Sequence, residues 1–105
     1  MQTAPHPVEE CVSALATAFP IEDIWLLERD AANECALDGE HNLIIVVPGS
    51  QNVAHTEAAV REVLRHQFKN SGIEAYVFPL SAVERIPRPL LVKMALTSGE
   101  RIYCR

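Results

Sequence analysis

Hydrophobic residues along this chain recur in two ways, at helical spacing in some stretches and as unbroken runs in others, and the two kinds alternate. After Pro7, whose fixed φ suits a first helical turn, Val8, Val12, Leu15, Ala16 and Phe19 follow a helical period until Pro20 halts it. Ile24 to Leu27 is an apolar run of strand length, and Leu43 to Val47 is a β-branched run closed by Pro48-Gly49. A run without polar alternation predicts a strand covered on both faces. Val53, Val60, Val63, Leu64 and Phe68 share one face of a long helix from about Val53 to Lys69, ended by Asn70-Ser71-Gly72. Ile73 to Leu80 returns to strand character, and Ser81 to Glu84 has the Ser-x-x-Glu spacing that caps a short helix. Pro89 opens a last helix carrying Leu90, Leu91, Met94 and Ala95, with Gly99 placed to cap it, before Arg101 to Cys104 forms an edge strand.

The resulting order is helix, strand, long loop, strand, helix, strand, two helices, strand. The middle strand, long helix and following strand make a β-α-β unit whose strands pair in parallel. The expected fold class is α/β, a small mixed β-sheet with helices packed on it. No repeat or Gly/Ser-rich linker divides the chain, so residues 1–105 are read as one domain with residues 1–6 flexible.

Composition narrows the class of function. At 105 residues, with 49% hydrophobic and 22% charged residues, the chain has the make-up of an ordinary folded domain that hides about two-thirds of its surface. A net charge of −5 repels phosphate backbones, so no direct nucleic-acid partner is expected. No apolar run approaches the ~20 residues that span a bilayer, and the N-terminus has no leader pattern, so no membrane association and a cytoplasmic location are expected. Cys11, Cys35 and Cys104 are odd in number and widely spaced, which suggests neither a disulfide framework nor a zinc site.

Loops as long as residues 28–42 are uncommon in small domains unless they serve a site. Asp38, Glu40 and Asn42 alternate toward the Leu43 strand, and period-two spacing turns their oxygens to one side if the strand starts early. Such oxygens suit a hard cation such as Mg²⁺, with Asp38 and Glu40 the candidate carboxylates, while a polar loop that merely stays in water is the plainer reading. His41 would face the other way. His55 and His66 stand too far apart on one helix to share a metal, and Arg61, Arg65 and Lys69 form a basic stripe at i+4 spacing, with Glu57 one turn before Arg61. No Gly-x-Ser-x-Gly, Gly-x-x-x-x-Gly-Lys or Gly-x-Gly-x-x-Gly motif occurs.

The segments Ile21-Glu-Asp-Ile24-Trp-Leu-Leu27, Gly39-Glu-His-Asn42-Leu-Ile-Ile-Val-Val47, Gly72-Ile-Glu-Ala-Tyr76-Val-Phe78 and Gly99-Glu-Arg-Ile-Tyr103 stand in the order of a known pattern. From about Pro20 to Tyr103 the chain resembles the minimal nucleotidyltransferase domains of the DNA polymerase β-like superfamily. That resemblance implies a nucleotidyltransferase-like fold. It also implies a Gly-Ser turn that approaches nucleotide phosphates and three Asp that hold Mg²⁺ for in-line transfer. Placed residue by residue, the Gly-Ser falls on Glu28 and Arg29, the Asp pair on Glu40 and Asn42, and the third Asp on Tyr76. Only Glu40 keeps a carboxylate, and Glu28 sets an acid where a triphosphate would lie.

The expectation that follows is a domain with no catalytic residues and no cofactor, acting through association as a homo-oligomer or beside a small helical partner, as family members do in toxin-antitoxin pairs. Trp25 and the Ile102-Tyr103 edge are candidate interface residues, with core packing as the plainer reading. The alternatives are an active Mg²⁺-dependent nucleotidyltransferase using Glu40, and a small α/β ligand-binding or regulatory module.

Overall fold

The computed structural model describes residues 6–29, 37–49 and 52–105. The elements are α1 (His6–Ala18), β1 (Asp23–Glu28), β2 (His41–Val47), α2 (Val53–Gln67), β3 (Ile73–Pro79), α3 (Leu80–Glu84), α4 (Leu90–Ser98) and β4 (Glu100–Cys104). They follow the order read from the hydrophobic pattern. Of the segment expected to be flexible, residues 1–5 lie outside the described residues, and His6 opens α1.

The four strands form one mixed sheet in the order β3-β2-β1-β4. β2 and β3 run parallel, joined by α2, while β1 is antiparallel to both β2 and β4. Register and alternation assign each strand residue to a face. Ile24, Leu26, Leu43, Ile45, Ala75 and Val77 face α1 and α2, and pack with Val8, Cys11, Val12, Leu15, Val60 and Leu64 into the main core. Ile44 and Val46 face the other side, toward α3 and α4, which bury Ala82, Val92 and Ala95 there. β2 is central and covered on both faces, which is why its sequence is an unbroken apolar run.

Cys11 sits fully buried in the apolar stripe of α1, where a free thiol packs as a small hydrophobe. α2 starts where the Asn52 side chain accepts the His55 N–H at 3.0 Å. Two expected caps work differently from their sequence signatures. Ser81 lies inside α3 and does not cap it: β3 runs straight into the helix with Pro79 at the cap position and no side-chain cap bond. Gly99 does end α4, but with φ −83, so its glycine is not needed for a left-handed turn. Space is the reason, since a Cβ there would lie 2.7 Å from the Ala95 carbonyl oxygen.

β3 and β4 are the two edges of the sheet, and they are blunted by different means. At β3 the Glu57 carboxylate accepts the Val77 N–H at 3.0 Å, and Arg61 Nη2 donates to the Ala75 carbonyl at 3.4 Å. One turn of α2 therefore satisfies outward-facing backbone groups of the edge. β4 carries a register irregularity opposite Ile24 and Trp25, and presents Arg101, which lies 5.8 Å over the Trp25 ring and 3.7 Å from the Asp23 carboxylate. Ile102 and Tyr103 pack half-buried against the main core.

Candidate functional site

The end of β1, the start of β2 and the start of β3 lie side by side, because His41 pairs with Glu28 on one side and with Ile73 on the other. This end of the sheet collects the positions singled out in the sequence. A turn at residues 38–40 leads into β2 and is bonded on several sides: Arg29 N–H donates to the Glu40 carbonyl at 3.0 Å, and His41 N–H to the Gly72 carbonyl at 3.0 Å. The Asp38 N–H donates to the phenol oxygen of Tyr76 at 3.0 Å. Gly39 lies so close to β3 that a Cβ on it would stand 2.9 Å from both Glu74 Cβ and the Gly72 oxygen.

Asn42 is the centre of this turn. It is fully buried, and its side-chain oxygen accepts the Gly39 N–H at 3.0 Å while its amide donates to the Leu27 carbonyl at 3.1 Å and the Gly39 carbonyl at 2.7 Å. All of these are local peptide groups, so the side chain staples the turn to β1 and β2 and offers no free lone pair at a surface. The expectation that Asp38, Glu40 and Asn42 line up on one side is corrected here. β2 begins only at His41, the three residues before it are bent, and Asp38 and Glu40 are exposed while Asn42 turns inward.

Glu28 and His41 form a pair of their own, with Nδ1 2.6 Å from Oε1. Their register places them on the α1/α2 side of the sheet, opposite the side taken by Asn42 and Tyr76. The acid at Glu28 therefore lies beside an imidazole. Tyr76 is partly buried, and burial pushes its phenol above the ordinary range; the bond from the Asp38 N–H pulls the other way. Among the described residues no three His, Cys, Asp or Glu side chains stand where they could share a metal ion.

These positions thus meet at one end of the sheet, with Glu28 on one face and Asn42 and Tyr76 on the other. Arg29 and Glu40 meet through their backbones, Tyr76 is tied to Asp38, and Asn42 is tied to Leu27 and Gly39. The Mg²⁺ that the resemblance implies does not fit this donor set: Asn42 is committed to peptide groups, and the phenol of Tyr76 is a neutral oxygen already accepting a hydrogen bond. The rest of loop 28–42, Cys35 included, lies outside the described residues from position 30 to 36.

The basic stripe of α2 borders a cleft of about 280 Å³ against the start of β3, lined by Arg61, Arg65, Phe68, Lys69 and Glu74. Its cations are partly neutralised: Arg61 reaches Ala75 and Glu74, and Arg65 is bonded to Glu62, whose carboxyl that contact holds below the usual range. Sequence spacing pointed to a Glu57–Arg61 pair on the helix surface, but the Glu57 carboxylate is turned onto the Val77 amide. Nothing in the local pattern signals that role, because it depends on which strand lies beside the helix.

Comparison of the chain with protein-family models, with curated proteins and with solved structures finds no match in any of the three. No helix among the described residues is long and apolar enough to cross a membrane.

Proposed function

We propose that the chain is a nucleotidyltransferase-like domain that has lost nucleotidyl transfer and works by binding another protein. The single observation that carries this reading is the state of Asn42. At a position where the resemblance implies a magnesium-holding Asp, a fully buried amide donates to the Leu27 and Gly39 carbonyls and accepts the Gly39 N–H. Tyr76 and Glu28 support it: one is a phenol accepting the Asp38 amide and the other an acid facing His41. The element order, and β2 parallel to β3 but antiparallel to β1, suit the same reading. A cytoplasmic setting and a place in a toxin-antitoxin pair belong to this proposal as expectations.

The rival reading, an active Mg²⁺-dependent enzyme, rests on Glu40 and Asp38, two exposed carboxylates in one turn. Incubating the full chain with labelled nucleoside triphosphates, Mg²⁺ or Mn²⁺ and a protein or RNA acceptor separates the two. The proposal expects no label transfer; transfer abolished by Glu40→Gln overturns it.

A further inference from the structure

Residues 85–99 contain three of the nine Lys and Arg and none of the fourteen Asp and Glu. The large hydrophobic side chains that stand exposed among the described residues all fall in this same stretch: Ile86 at 85% exposure, Leu90 at 61% and Leu96 at 39%. The fold explains how they come to be outside. α4 turns Val92 and Ala95 onto the sheet, so Leu90 and Lys93, one turn apart, lie on its outer face. Ile86 precedes the helix on a connection held by the Arg88 guanidinium, which donates to the Val83 carbonyl at 2.5 Å. Arg85 and Lys93 are exposed, and no carboxylate of the described residues pairs with either.

Exposed apolar side chains interleaved along the chain with cations that have no carboxylate partner among the described residues, on a molecule that is otherwise acidic, are complementary to one kind of surface. We infer that the Arg85–Lys93 surface docks an acidic segment of a partner protein, with apolar side chains of that segment resting on Ile86 and Leu90 and its carboxylates beside Arg85 and Lys93. This rests on the reading of the chain as a binding domain and names the chemistry of its partner. An anionic membrane offers the same charge, but over a plane wider than the patch. Glu84 and Glu100, exposed at the two ends of the stretch, would be carried toward that plane, and their repulsion decays only over ~8 Å at physiological salt. A narrow acidic segment covers the patch alone.

The test uses the full chain, isotope-labelled, titrated with a synthetic amphipathic peptide bearing Leu on one face and Glu on the other. A second peptide keeps the Leu positions and replaces every Glu by Lys. The expected result is amide shifts centred on residues 85–93 with the Glu peptide, weakened at least about tenfold by Leu90→Ser and by the double change Arg85→Glu/Lys93→Glu. These side chains are exposed, so unchanged circular dichroism and thermal midpoints show that both variants fold. Shifts that map elsewhere, equal binding of the Lys peptide, or indifference to both variants overturn the inference. So does binding to phosphatidylserine vesicles without binding to the peptide, or self-association abolished by Leu90→Ser. Label transfer from a nucleotide would sink the loss of catalysis without touching this titration, and failure of the titration would leave the transfer result standing.

Discussion

Replacing Asn42 by Ala removes three hydrogen bonds from a site with no exposure. Each contributes about 1 kcal/mol net, and three groups are left behind, the partly buried Gly39 N–H and carbonyl and the buried Leu27 carbonyl; an unmet polar group shielded from water costs about 1–3 kcal/mol. The bonds alone amount to about 3 kcal/mol, and one stranded group brings the loss to about 4 kcal/mol, a large share of the ~5–15 kcal/mol typical of a whole domain. The chain's one tryptophan, Trp25 on β1, reports unfolding, so urea denaturation followed by its fluorescence gives the loss directly. A fall of about 10–20 °C in the thermal midpoint should accompany it. A loss within about 0.5 kcal/mol, the range of ordinary surface substitutions, would refute the clamp.

Asn42→Asp carries the argument to function. It restores the acid that the resemblance implies, but turns one carboxylate oxygen toward the Leu27 and Gly39 carbonyls where a donor now stands. Ionisation is disfavoured in such a place, so the folded-state pKa of the introduced carboxyl lies above its unfolded value of ~3.9. The folded state then holds the proton more tightly than the unfolded one. The variant's deficit is therefore smallest below pH ~3.9, grows as pH rises toward the folded pKa, and is complete above it. A metal site would behave oppositely: the variant would be stable at neutral pH, and Mg²⁺ would raise its midpoint.

Three further outcomes follow from the packing. Glu57→Ala should cost about 1–2 kcal/mol and speed hydrogen exchange at the Val77 amide, whereas Glu62→Ala, on the exposed face of the same helix, should leave that amide unchanged. Gly72→Ala should cost about 1–2 kcal/mol by urea denaturation, because φ is +77 and the new Cβ would sit 3.2 Å from Glu40 Cβ; a neutral result would mean the turn can re-form. In a Cys35→Ser background near neutral pH, Cys104 should react promptly with a thiol reagent and Cys11 only on unfolding, since burial pushes the Cys11 thiol up to about 12. Its raised pKa means that the stability tied to the neutral thiol is whole below the unfolded value of ~8.5 and drains away as pH climbs toward 12.

The hydrophobic pattern alone determined the order of elements, the buried central strand and the faces of the two long helices. Leu43 to Val47 can be solvated nowhere, and Val60 with Leu64 must share a helix side whatever surrounds them, so each element carries its own evidence. The site was legible only as a place. That Glu28 meets His41, that Asn42 clamps Gly39 and that Glu57 seals Val77 depend on strand register and on which strand lies beside which helix. Those pairings join residues from 3 to 20 positions apart through hydrogen bonds whose partners exist only once the sheet is assembled. A polar letter reads the same whether it faces water, a metal ion or a peptide group, and burial decides among them.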